Sequence, residues 1–222
     1  MATAQAGTIL QVLQDALAVH KLVKSKSDPF ETLIVTIISQ NTADRNTARA
    51  FENLSKRFEI TPEALAKAET MEIEDCIKVG GLYKSKTRAI QTASKIILEK
   101  YGGSLKPVLA LPLEEARKTL TKMQGVGPKT ADVVLLFSAQ QPTVPVDTHV
   151  NRVSKRLGLA PENGGYEAVR SSLQTLYSPK DYLAVHLLLI AHGRRYCRAH
   201  HPRCPECPVN TYCPSKGSMK YD

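Results

Sequence analysis

Four of the five cysteines stand close together near the C-terminus, as Cys197, Cys204, Cys207 and Cys213, in the spacing C-x6-C-x2-C-x5-C. Four thiolates from one short loop can close around a single centre. Four protein ligands leave no open coordination position, so such a centre is structural rather than hydrolytic. Only one C-x2-C pair is present, unlike the paired knuckles of most zinc ribbons. A cubane cluster, whose irons sit at separate corners, tolerates uneven loops. The spacing therefore points first to iron–sulfur, with zinc and disulfides as the alternatives. The same segment carries Arg194, Arg195, Arg198, His200, His201 and Arg203. That is either a solvated basic surface or a stiffened loop offering positive charge to phosphates. Cys76 stands alone on an amphipathic stretch and reads as a small core residue.

A second chemical feature is the turn Gly125-Val126-Gly127, with Pro128 after it. The periodicity predicts a helix over 114–123 before the turn and another from Lys129 to Phe137 after it. Helix, G-V-G, helix is the helix-hairpin-helix pattern. The glycines let the backbone bend sharply and approach a ligand closely. The free amides and the positive end of the second helix suit a DNA phosphate, gripped regardless of sequence. An ordinary helix–helix turn is the competing reading. Lys129 lies in the first turn of the second helix, and Asp147 follows eighteen positions later in Val146-Asp147-Thr148-His149. Taken alone, the lysine reads as a phosphate contact and the aspartate as a helix N-cap.

The elements that must position these groups are helical almost throughout. Phe30, Leu33, Ile34, Ile37 and Ile38 recur at helix spacing after the entry Asp28-Pro29. Ala89, Ile90, Ala93, Ile96 and Ile97 mark a second helix, stopped by Gly102-Gly103. Val133 to Phe137 reads as a buried run, Val169, Leu173 and Leu176 as a further helix, and Leu183 to Ile190 as a central one. Thr143-Val144-Pro145-Val146 reads as an extended link, its proline spoiling a central strand. Chain breaks are expected near Lys26-Ser27-Asp28-Pro29 and near Gln140-Gln141-Pro142-Thr143. The predicted fold class is all-α.

Composition narrows the partners. The 222 residues carry 30 Lys+Arg against 21 Asp+Glu, a net charge of +9, which favours a polyanion. Hydrophobic residues at 42% exclude a disordered chain. Tryptophan is absent and aromatics reach only 5%, which weakens any single-strand stacking platform. No stretch approaches the ~20 apolar residues of a membrane span. The mixed N-terminus, Met1 to Val23, does not read as a secretory signal, so the expected address is cytoplasmic and nucleoid-associated.

Taken together, the hairpin Met123-Gln124-Gly125-Val126-Gly127-Pro128-Lys129-Thr130-Ala131, the motif Val146-Asp147-Thr148-His149 and the cysteine spacing resemble the endonuclease III family. This is the iron–sulfur branch of the helix-hairpin-helix DNA glycosylases. The similarity runs from about Pro29 to about Cys213. The resemblance implies a [4Fe-4S] cluster on the four cysteines, Lys129 as nucleophile and Asp147 as essential carboxylate. An amine attacking C1′ expels the base and forms a Schiff base, which permits β-elimination of the 3′ phosphate. A nearby carboxylate stabilises the positive charge developing on the sugar. The stacked base must be turned out and its hole filled. By resemblance two loops do this. In Gly81-Leu82-Tyr83, Leu82 would be an apolar wedge with Tyr83 beside it. In Ser39-Gln40-Asn41-Thr42-Ala43-Asp44 the plug is Gln40 or Asn41. Without the resemblance these would be a core-facing leucine and a polar helix terminus. Seven Lys or Arg and one acidic residue between Lys78 and Lys106 suit a phosphate-lined rim. Two departures from the family pattern are Met123-Gln124 in place of Leu-Pro, and Asp132 in place of Asn or His.

The implied architecture has two helical lobes. Residues 30–141 would form a six-helix barrel carrying the hairpin, and residues 1–29 with 142–222 the cluster lobe. The implied substrate is an oxidised pyrimidine such as thymine glycol in double-stranded DNA, and the implied working form a monomer with no membrane partner. The rivals are a mismatch glycosylase (uracil or thymine opposite guanine), an oxidised-purine glycosylase, and a non-catalytic iron–sulfur DNA-binding module.

Overall fold

The computed structural model describes residues 2–17 and 28–217. The expected break at Lys26-Ser27 therefore lies outside the described residues. These contain twelve α-helices joined by turns and short 3-10 segments, with no strand among them. None of the helices is long and apolar enough to cross a membrane. Contacts group the described residues of Lys26–Gln141 into one unit, and those of Met1–Ser25 with Pro142–Asp222 into another.

The first unit holds α2 (Pro29–Ser39), α3 (Asp44–Arg57), α4 (Pro62–Lys67), α5 (Thr70–Ile77), α6 (Tyr83–Tyr101), α7 (Lys106–Leu109), α8 (Leu113–Thr121) and α9 (Pro128–Ala139). The chain enters α2 where the sequence predicts. The Asp28 carboxylate accepts from the amides of Phe30 and Glu31, and Pro29 needs no amide partner at the first position. The predicted stripe of α2 is buried, and it packs on α6 and α9. In α6 the stripe Ile90, Ala93 and Ile97 faces the same core, and Gly102 ends the helix at φ +60°. Val134, Leu135 and Leu136 of α9 are buried, whereas Val133 and Phe137 are half-buried, so the predicted run is a helix face rather than a solid core segment. Cys76 packs at the edge of this core, as expected.

Asp132 acquires a structural account. It is fully buried in α9, and Arg117 of α8 grips it with two parallel bonds, Nε to Oδ1 at 2.8 Å and an Nη2–Oδ2 bond at 3.2 Å. The remaining guanidinium edge reaches Glu114. A bidentate pair shielded from water clamps the two hairpin helices far more firmly than exposed pairs such as Lys56–Glu52.

The second unit holds α1 (Ala2–Ala16), α10 (Thr148–Arg156), α11 (Tyr166–Leu176) and α12 (Tyr182–Arg195). Every residue from Leu183 to Ile190 is buried or half-buried, and α12 packs on α10 and α1. A Cβ at Gly193 would lie 3.1 Å from His149 Cβ and from Val153 Cγ2, so this glycine lets α10 and α12 approach. The link Thr143–Val146 is not a strand, as predicted, yet all four residues are buried.

Candidate active site

The hairpin turn is built by two bonds, Met123 N–H to Leu120 O and Val126 N–H to Met123 O, both 3.0 Å. Val126 is 3% exposed and points into the core, so its part in any ligand contact is to hold the turn. The two glycines differ. Gly125 sits at φ +80°, and a Cβ there would fall 2.4 Å from Ala89 Cβ in α6. Gly127 is extended, and a Cβ there would meet nothing within 4 Å. Gly125 is thus demanded by packing, whereas Gly127 leaves an open approach to the amide end of α9, which no side chain caps. Accordingly, Gly125→Ala should destabilise the fold by about 1–3 kcal/mol in urea unfolding. Gly127→Ala should leave stability within about 1 kcal/mol while weakening duplex binding, because its methyl stands on the open face.

Lys129 follows at the second position of α9 and is half-buried. Beside it, Gln40 is committed to the hairpin. Its Nε2 donates to Gly125 O at 2.9 Å and to Thr130 Oγ1 at 3.3 Å. Asn41 is exposed, with a left-handed backbone at φ 52°. The structure thus separates the two plug candidates, one facing the hairpin and the other facing solvent. Leu82 is 60% exposed, also left-handed at φ 50°, and follows Gly81 at φ 66°. It is not the core-facing leucine that its type alone suggests. Tyr83 is half-buried against the core.

The basic rim needs one correction. Of the seven cations between Lys78 and Lys106, Lys86 is only 2% exposed and cannot line a phosphate track. Its Nζ donates to Ile38 O, Thr42 Oγ1 and Gly80 O at 2.8, 2.6 and 3.0 Å. Burial holds its pKa below the ordinary lysine value. The sequence carried a signal for this. Lys86 continues the α6 stripe of Ile90, Ala93 and Ile97 by one more helical step.

Asp147 caps α10, its Oδ1 accepting from Val150 N–H at 2.7 Å. The buried link before it is pinned by side chains rather than by a ladder. Arg170 Nε donates to Thr143 Oγ1 at 3.0 Å, and His186 Nδ1 donates to Pro145 O at 2.9 Å. Val146 N–H reaches Tyr166 Oη at 3.3 Å. Sequence reasoning missed all three of these side chains. A polar residue on an apolar helix face, as Arg170 is between Val169 and Leu173, is the signal that could have found them.

The four cysteines line one cavity, together with His192, Leu157 and Tyr196. No disulfide joins them. Among the described residues no three His, Cys, Asp or Glu side chains close on a point where they could hold a single metal ion. Burial, reinforced by repulsion from the other three sulfurs, pushes the Cys207 thiol up to about 11, and burial also raises that of Cys213. Two arginines of α10 hold the loop in place. Arg152 donates to Cys197 O and Gly193 O, and Arg156 to Arg198 O and Ala199 O. The cations Arg194, Arg195, Arg198 and Arg203, with His200 and His201, are exposed.

The profile of the HhH-GPD superfamily of base excision DNA repair proteins matches residues 34–179. An endonuclease III of Sulfolobus acidocaldarius is 37% identical over 83% of this chain and 81% of its own length. One from Thermotoga maritima is 37% identical over 85% and 84%. The chain belongs to the endonuclease III family. A solved covalent intermediate of an endonuclease III trapped on DNA superposes with a TM-score of 0.82 over 96% of this chain and 97% of that one, at 30% identity. A thermostable thymine-DNA glycosylase, 19% identical with a TM-score of 0.79, shares the fold. This endonuclease III family member is a base excision repair enzyme, a DNA glycosylase and AP lyase. Members of the family bind a [4Fe-4S] cluster.

Proposed function

We propose that this enzyme removes oxidised pyrimidines of the thymine glycol type from double-stranded DNA and then cuts 3′ to the abasic site. The observation that carries the reading is the half-buried Lys129 at the start of α9, among that helix's uncapped amides and beside the open face of Gly127. Those amides would hold a phosphate of the damaged strand, and the contact would set the lysine against the adjoining sugar. The Lys129 amine adds to C1′ as the C1′–N bond to the base breaks, and the base leaves with the bonding electron pair. Loss of a proton and ring opening give the Schiff base. Removal of a C2′ proton then expels the 3′ phosphate. The Asp147 carboxylate stabilises the positive charge that the sugar carries as the base departs. Loss of aromaticity unstacks thymine glycol, which lowers the work of turning it out.

Leu82 acts as the wedge that fills the vacated stack. Its exposure supports this, since an exposed leucine in a left-handed turn serves no packing purpose in its own unit. Asn41 faces the orphaned base, and Gln40 fixes the turn to the hairpin. Cys197, Cys204, Cys207 and Cys213 would hold the cluster. Four thiols around one cavity, Cys197 buried and the other three half-buried, in the uneven spacing C-x6-C-x2-C-x5-C, fit a polynuclear centre better than zinc. When bound, the cluster supplies positive charge that keeps the thiols deprotonated, and it crosslinks the loop. The exposed arginines and histidines of that loop reach phosphates. The enzyme works as a monomer on damaged duplex, in the cytoplasm with the nucleoid.

The test is a panel of duplexes bearing thymine glycol, uracil opposite guanine, thymine opposite guanine or an oxidised purine, assayed with and without borohydride. The expected result is fastest base release and a trapped protein–DNA adduct on thymine glycol. Preference for a mismatch or an oxidised purine overturns the substrate assignment. Binding without release on any duplex favours a docking module.

A further inference from the structure

Lys86 is an amine that the chemistry above does not use, and its placement is costly. It lies in the first turns of α6, where the helix dipole disfavours a cation, and it is buried. Its three partners are carbonyl and hydroxyl oxygens, with no carboxylate among them. An apolar side chain of the same length would fill the space without desolvating a charge. It could not, however, hold three oxygens in one fixed triangle.

Those oxygens come from two separate segments. Ile38 O belongs to the last turn of α2, and Thr42 lies just beyond Asn41. Gly80 O precedes Gly81 and Leu82. Thr42 Oγ1 accepts from Lys86 and its hydroxyl donates to Gly80 O, so the two segments are also joined directly. Each segment then places a non-glycine residue in the left-handed region, Asn41 in one and Leu82 in the other. Such a backbone is disfavoured for an L residue, more for Leu82 than for Asn41, and persists where its surroundings hold it.

We propose that Lys86 is a positioning residue for base extrusion, its ammonium locking the Asn41 turn to the Leu82 turn so that plug and wedge enter the duplex at a fixed separation. The inference rests on the wedge-and-plug reading given under the proposed function. It adds a claim that neither motif contains, namely that the two loops act as one body.

The experiment compares Lys86→Met, Thr42→Val, Thr42→Ser and Leu82→Ala with the parent holoenzyme. Single-turnover base release from thymine glycol duplex is set against β-elimination at a preformed abasic site in single-stranded DNA. Fluorescence of 2-aminopurine beside the lesion follows extrusion, and thermal unfolding is recorded for each variant. Lys86→Met should slow release from duplex about tenfold or more, with a matching delay in the fluorescence rise. Its elimination on single strands should stay within about twofold of the parent. Thr42→Val should move the same way by less, and Thr42→Ser should return to parent behaviour. If Lys86→Met fails to fold, the Thr42 pair carries the same comparison. Equal losses on both substrates, tracking a fall in Tm, would mean a purely structural lysine and overturn the proposal. So would duplex release that only Leu82→Ala impairs. A parent that releases no base from any duplex defeats the functional reading itself, whereas an indifferent Leu82→Ala defeats the wedge and this inference with it.

Discussion

Lys129→Gln should abolish the borohydride-trapped adduct and lower strand cleavage on the order of a thousandfold or more. Glutamine nearly matches the length of lysine but has no nucleophilic nitrogen, because its lone pair is delocalised into the amide. At the second position of α9 it is also a good helix former, so the helix and its open amide end survive. The loss is therefore chemical rather than structural. Binding to undamaged duplex falls only by the share of one cation. The salt dependence of affinity flattens by about 0.9 per phosphate contact removed. Circular dichroism and a binding isotherm at two salt concentrations separate these effects from folding. A variant that still forms the adduct places the nucleophile elsewhere and ends the assignment of Lys129.

Asp147→Asn has the next largest effect and tests a sharper distinction. The carboxylate already has a structural duty, accepting the Val150 amide at the start of α10. Asparagine performs that duty about as well as aspartate, so the cap survives. What disappears is the negative charge. Base release should then fall about a hundred- to a thousandfold, as when a preorganised electrostatic partner is removed from a developing charge. Duplex affinity should be nearly unchanged or slightly tighter, since one repulsion with phosphate is gone. Asp147→Ala should lose the same activity and also about 1 kcal/mol of stability with the cap. Parent-like release by Asp147→Asn, with instability confined to Asp147→Ala, would reduce Asp147 to a helix cap.

The two readings of Asp147 are compatible because one carboxylate has two oxygens. Oδ1 is spent on the cap. The cap fixes the side chain against rotation, and the Arg170, His186 and Tyr166 bonds fix the link before it. A charge that must stabilise a short-lived cation works best when no reorganisation is needed at that moment. On the proposed role of Asp147, the local cap and the long-range pins would serve the same chemistry.

What the chain declares by itself is whatever depends on neighbours within a few positions. The α2 entry at Asp28-Pro29, the apolar stripes of α2 and α6, the Gly102 stop, the G-V-G turn, the Asp147 cap position and the cysteine spacing are all of this kind. They are legible because helix periodicity, capping and turn chemistry are set by residues three or four apart. Three-dimensional packing alone decided the rest. Leu82 could have been core or surface by type, and only its left-handed turn put it outside. Gln40 and Asn41 are adjacent and chemically alike, yet one bonds the hairpin and the other faces solvent. Lys86 counted as one more surface cation until its three acceptors converged on it from the end of α2, from Thr42 and from Gly80. Asp132, a departure from the family pattern, has no partner legible nearby until Arg117 meets it. For Gln40, Lys86 and Asp132 the deciding partners include residues 15 to 90 positions away, and a buried polar group is tolerable only where such a partner exists. Periodicity can tell which face of a helix is inward, but not which oxygen waits there.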